Sequence, residues 1–158
     1  MFVLARAVTY STLFIGLLLI FLPARILAAA GVEWPGWFGV WQTAGMVLGT
    51  AGASLALWCI LTFVFVGRGT PAPFDPPRRL VAQGPYRFVR NPMYIGAAAA
   101  VLGAAIFYRS LPLLGYVAVF LLVMHVFVRV FEEPTLRQMF GTEYDLYCQH
   151  VGRWWPRR

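Results

Sequence analysis

The stretch Gly84 Pro85 Tyr86 Arg87 Phe88 Val89 Arg90 Asn91 Pro92 Met93 Tyr94 Ile95 Gly96 decides how this chain is read. It sets a helix start, two arginines and two tyrosines at the edge of an apolar run. Gly84 Pro85 is a turn signal. Asn91 Pro92 predicts the first turn of a helix: asparagine caps free N–H groups, and proline at the first helical position lacks the N–H that would be orphaned anyway. The positive end of that helix then lies beside Arg87 and Arg90, an arrangement suited to an anion such as a carboxylate or phosphate. The competing use of the same residues is anchoring, with the arginines on anionic lipid headgroups and Tyr86 and Tyr94 in the interfacial belt.

Composition supplies the setting. Of 158 residues, 60% are hydrophobic and only 12% charged, with a mean hydropathy of +0.70. A soluble domain of that size would have no polar surface to present to water, so the chain is expected to live in lipid. The net charge of +7 does not indicate nucleic acid, because the basic residues are neither gathered into one patch nor interleaved with polar sequence.

Four apolar stretches are read, over 7–30, 38–66, 92–107 and 113–131. Every basic side chain is an arginine: Arg6 precedes the first stretch, Arg68, Arg78, Arg79, Arg87 and Arg90 fill the central connection, and Arg137, Arg153, Arg157 and Arg158 follow the last. The other two loops hold only Arg25 and Arg109, so the positive-inside rule puts the termini and the central loop in the cytoplasm; the expected location is a bacterial inner membrane. The expected fold is all-α, a polytopic membrane protein with about four transmembrane helices and a short cytoplasmic C-terminal helical tail. One domain is expected over 1–158, with two N-terminal spans in 1–66 and the functional half in 67–158.

The third helix, at about 24 Å, is shorter than the roughly 30 Å hydrocarbon core and leaves room beside it. Its Gly96, Ala97, Ala98, Ala99, Ala100, Gly103, Ala104 and Ala105 permit close approach, as do Gly45, Gly49 and Ala53 on the second. Arg6, an apolar run and Ala28 Ala29 Ala30 imitate a secretory signal, but the segment is read as the first span. Cys59 and Cys148 are expected to be unpaired in a reducing compartment. His125 and His150 stand far apart, which gives a metal site no support.

The run 67–77 is too rich in proline and glycine for helix, and 78–83 reads as a short amphipathic piece. On the fourth helix, His125, Arg129, Glu132 and Glu133 fall at i, i+4, i+7 and i+8, a polar stripe in which Arg129 is expected to pair with Glu132 or Glu133. A purely structural ion pair is the plainer account. Pro134 is expected to restart the chain as a short helix stopping at Gly141, after which Thr142 caps another with Asp145 in the capping-box position. Phe140, Tyr144, Tyr147, Trp154 and Trp155 either cover a pocket formed by the central loop or lie among headgroups.

Taken together, Leu80 Val81, the stretch from Gly84 to Gly96, Glu132 Glu133, and Phe140 Gly141 Thr142 Glu143 Tyr144 Asp145 Leu146 Tyr147 resemble the isoprenylcysteine carboxyl methyltransferase and phospholipid methyltransferase superfamily. The resemblance covers roughly the C-terminal half, from Gly67 onward. It implies an S-adenosylmethionine site at the cytoplasmic face and a lipophilic or membrane-associated methyl acceptor. By position it carries cofactor contacts onto Arg79, Leu80, Val81, Tyr86, Asn91, Pro92, Met93, Tyr94 and Glu132. The charges suit that ligand: Glu132 or Glu133 for an ammonium or ribose hydroxyls, and Arg90 or the helix start for a carboxylate. Arg129 and Glu133 are the candidate catalytic residues, with Arg129 or His125 orienting the acceptor head group. The chain departs from the prenylcysteine enzymes at Asn91, where they have histidine, and at Val128, where they place a substrate-contacting arginine; Arg129 stands one step later, rotated by about 100°. The acceptor atom stays open among amine, carboxylate and thiol.

Two other readings compete. Membrane sterol reductases resemble the same arginine, proline and tyrosine element and use a nicotinamide cofactor, but they are larger. A non-catalytic membrane assembly factor suits the composition yet gives Glu132 and Glu133 no reason.

Overall fold

The computed structural model describes residues 9, 12–13, 15–67 and 79–157. Arg6, Arg68, Arg78, Arg158 and most of the proline-rich connector, 68–77, lie outside the described residues.

Helices make up the regular structure. A wide-turned segment Ile15–Phe21 leads into α1 (Leu22–Ala29), and α2 (Val40–Thr62) runs on through a second such segment, Phe63–Gly67. A single 3-10 turn, Gly84–Arg87, precedes α3 (Pro92–Phe107). Then α4 (Leu111–Phe127) passes through a π-type turn, Val128–Glu132, into α5 (Glu133–Phe140), and α6 (Thr142–His150) follows. Among the described residues no strand forms, and the one isolated bridge joins Val89 to Gly152.

Two of these helices are long and apolar enough to cross a membrane, Val40–Gly67 and Leu111–Phe140. The apolar helices Gly16–Ala29 and Pro92–Phe107 are shorter. The α3 boundaries follow directly from local chemistry, proline in the first turn and the Tyr108–Arg109 turn at the far end, where Arg109 takes a φ of 52°. Ser110 then caps α4, its hydroxyl accepting from the Leu113 N–H at 3.4 Å.

The chain does not restart at Pro134. Helix continues from Leu111 to Phe140 because the wide turn at Val128–Glu132 comes just before the proline. A proline ring would clash with the carbonyl four residues back in a regular helix, and widening the turn relieves that conflict. Gly141, at φ 51° and ψ −125°, makes the bend between α5 and α6 in a region favourable to glycine. It also occupies the α6 N-cap without a side-chain bond, so Thr142 does not cap; Asp145 instead meets Arg137 at 2.8 Å.

The helices α2 and α3 pack with their backbones almost in contact. A Cβ added to Gly52 would meet the Ala100 nitrogen at 2.5 Å and the Gly96 oxygen at 2.6 Å, and one on Gly45 would meet the Gly103 oxygen at 2.6 Å. Small residues are required there because lipid supplies little force to drive helices together, and close dispersion contact takes its place. At the end of this seam, the buried Gln42 accepts from the Gly39 N–H at 3.0 Å and donates to the Phe107 carbonyl at 3.2 Å. The other face of α3 packs on α4 through Ala97, Ala98, Val101, Ala105, Leu113, Val117, Phe120 and Met124, with Leu18, Leu19, Ile26 and Leu27 laid against them.

Candidate functional site

The site lies where the loop before α3, the end of α4 and the C-terminal tail converge. Val81 and Tyr86 are buried with Cys59 of α2, and Met93 packs against both this group and the α3–α4 core. Leu80 is half-buried and Arg79 is exposed. Arg87 is exposed too, its guanidinium 5.2 Å from the centre of the Phe88 ring. Of the two arginines flanking the helix start, then, only Arg90 turns inward.

The paired carboxylates have separate partners. Glu133 binds both Arg153, at 2.6 and 2.7 Å in a bidentate fork, and Arg90, at 3.2 Å. The Arg90 and Glu133 side chains are 11% and 12% exposed. Buried charge of this kind is stable only when paired and hydrogen-bonded, and the fork supplies both. Glu132 meets one polar partner among the described residues: the Tyr94 hydroxyl donates to its Oε2 at 3.0 Å.

Arg129 is exposed and makes no ion pair with either glutamate. The expected stripe assumed a uniform 3.6-residue period, and the wide turn at Val128–Glu132 breaks it. Val128 is left fully buried, Arg129 points outward, Glu132 faces Tyr94 of α3, and Glu133 faces Arg153 of the tail. His125 accepts from the Trp154 indole N–H at Nδ1, 3.0 Å away.

Asn91 occupies the N-cap position of α3 without capping it. Its side-chain amide donates instead to the Arg153 carbonyl at 3.2 Å. Tyr147 donates to the Tyr86 carbonyl at 2.6 Å, and Arg90 reaches the Cys148 sulfur and, at 3.5 Å, the Tyr144 hydroxyl. Three of the five tail aromatics therefore engage the loop or α4, whereas Trp155 is 82% exposed. Burial pushes the phenols of Tyr86, Tyr144 and Tyr147 up, so all three stay neutral hydroxyls at physiological pH. Among the described residues, two buried side-chain polar atoms lack a nitrogen or oxygen partner, the Tyr86 hydroxyl, which meets the Cys59 thiol, and Nε of Arg90. Such atoms are rare in finished interiors.

The sequence reading missed Arg153 as a site residue. Its signal was indirect: Arg153 had been counted only as topology-setting charge, while Glu133 needed a cation. The structure joins Tyr94 with Glu132, and Arg90 with Asn91 and Glu133 through the tail; Arg79 and Arg129 stand apart from that group.

Among the described residues the regular structure is all helical, two helices are long and apolar enough to cross a membrane, and ionic groups gather where a short helix begins and a long one ends. The phospholipid methyltransferase family model matches residues 40–143, and the chain belongs to that family. Comparison with curated proteins and with solved structures finds no match. Family membership and the two apolar helices together support a membrane methyltransferase.

Proposed function

We propose that the protein transfers a methyl group from S-adenosylmethionine to a lipophilic or membrane-associated acceptor, in a four-span topology with the site and termini on the cytoplasmic side. The observation that carries this reading is the unequal satisfaction of two adjacent carboxylates. Glu133 is shared by two guanidinium groups, while among the described residues Glu132 has only the Tyr94 hydroxyl. A carboxylate at membrane depth without a cation calls for one, and a ligand bearing an ammonium group supplies it. The unpartnered Nε of Arg90, whose guanidinium meets the neighbouring Glu133, offers a donor of the opposite kind.

The residues present fit the donor. Glu132 takes the ammonium group or ribose hydroxyls, Arg90 and the uncapped start of α3 take the carboxylate, and Leu80, Val81, Tyr86, Pro92, Met93 and Tyr94 complete the wall; Arg79, exposed and apart from this group, is left out of it. S-adenosylmethionine supplies a methyl group already activated for displacement. The chain's contribution is to position reactants and exclude water, effects worth roughly 7 to 11 kcal/mol in well-oriented systems. Glu133 fixes Arg90, and the exposed Arg129 orients the acceptor head group.

Calorimetry with S-adenosylhomocysteine and with NADPH tests this reading on the purified protein. Saturable binding of S-adenosylhomocysteine, lost in Glu132→Gln, is expected. Binding of NADPH instead would make the protein a reductase, and binding of neither would favour an assembly role.

A further inference from the structure

We infer that Gly152, Arg153 and Trp154 form a clasp that, by holding Asn91 and Glu133, positions Arg90 and the first turn of α3 to receive an anionic group of the ligand, with Arg153 as the central positioning residue. The inference rests on the proposed use of an S-adenosyl ligand. All three residues lie beyond the 40–143 family match, and each fastens a different element. Gly152 bridges to Val89, and its carbonyl accepts from the Arg90 N–H at 2.8 Å, which fixes the loop before α3. Only glycine fits there, since an added Cβ would collide with the Trp155 backbone carbonyl. Arg153 holds Glu133 with its guanidinium and Asn91 with its carbonyl. Trp154 fastens His125, and so α4, through its indole.

Two features set this arrangement apart from packing alone. Asn91 is 5% exposed at the N-cap position, yet its amide serves the tail, so the first turn of α3 keeps its N–H groups uncapped by that side chain. In addition, two guanidinium groups share the carboxylate of Glu133, so that trio carries one net positive charge, set against the separate carboxylate of Glu132 that Tyr94 holds. Positive charge and free N–H donors together are the polarity that draws a carboxylate. Without the Arg153 side chain, Glu133 neutralises Arg90 alone, and the released tail frees Asn91 to swing into the cap. Both changes fill the place of the anion.

The test compares two ligands on the full chain in lipid nanodiscs. S-adenosylhomocysteine carries the amino-acid carboxylate; 5′-methylthioadenosine shares its adenosine and thioether but lacks that group. Arg153→Ala is expected to weaken S-adenosylhomocysteine roughly 10- to 100-fold, the range that loss of a supporting partner costs at metal sites, while 5′-methylthioadenosine holds nearly its wild-type affinity. Arg153→Lys should restore part of the ratio. Should Arg153→Ala fail to fold, Arg153→Gln is read by the same ratio. An equal loss for both ligands, or none for either, overturns the clasp and leaves the donor assignment standing. Wild-type protein that binds neither ligand overturns the donor assignment, and the clasp with it.

Discussion

The Tyr94 hydroxyl donates to the Glu132 carboxylate at 3.0 Å, joining the first turn of α3 to the end of the π-type turn after α4. The bond spans the place where a short apolar helix meets the longest. It gives Glu132 a fixed orientation without neutralising it, in contrast to Glu133, which is locked between Arg90 and Arg153. Adjacent residues of one helix thereby differ in their surroundings: Glu133 is closed between two guanidinium groups, while among the described residues Glu132 accepts from a single hydroxyl.

Tyr94→Phe tests that orientation. A hydrogen bond to a charged group contributes about 1.5–3 kcal/mol, so affinity for S-adenosylhomocysteine should fall roughly 10- to 100-fold. Glu132→Gln should lose at least as much, because it removes the charge as well. Calorimetry on both variants checks the order; wild-type affinity in Tyr94→Phe would show that the hydroxyl does not govern the carboxylate.

The α2–α3 seam makes a stability prediction. Gly52→Ala places a methyl group 2.5 Å from the Ala100 backbone nitrogen, and backbone cannot yield as a flexible side chain does. Overpacking of this kind costs about 1–3 kcal/mol. Gly115→Ala is the control, since nothing lies within 4 Å of an added Cβ there, and it should be neutral or stabilising by up to about 1 kcal/mol. Thermal unfolding in detergent should separate the two; equal melting points would mean that the helices are not in backbone contact.

Gln42 ties the start of α2 to the end of α3 through its two bonds to backbone groups. Gln42→Leu keeps the bulk and strands the Gly39 N–H and the Phe107 carbonyl. The expected loss is about 1–3 kcal/mol, read as a lower midpoint in the same unfolding assay, with ligand affinity unaffected because the site is at the opposite end of α3.

Much of this was legible in the residues, and the exceptions share a cause. Asn91 Pro92 announced the start of α3, and the reading 92–107 matches the helix. The small residues of Gly45 and Gly103 announced their seam. Asn91 was misread as a cap because nothing local shows that a tail carbonyl 62 residues away competes for its amide. Arg129 was misassigned to a pair because periodicity presumes a regular helix, and the widened turn ahead of Pro134 shifts every later side chain. Long-range competition and local departure from 3.6 residues per turn leave no mark in spacing.

That same shift motivates the final prediction. Arg129 is exposed, has no anionic partner among the described residues, and stands between Val126, Val130 and Phe131, which are also exposed. A cation on an apolar helix face at a membrane edge is favoured by an anionic or strongly dipolar head group nearby. Arg129→Ala should therefore leave S-adenosylhomocysteine affinity intact while lowering methyl incorporation into a membrane-lipid extract by at least about tenfold, the cost of roughly 1.4 kcal/mol in transition-state binding. Arg129→Lys should recover part of the rate. Unchanged incorporation in Arg129→Ala, with labelled donor and equal protein in the membrane, would remove Arg129 from acceptor recognition and leave the donor half of the site as it is.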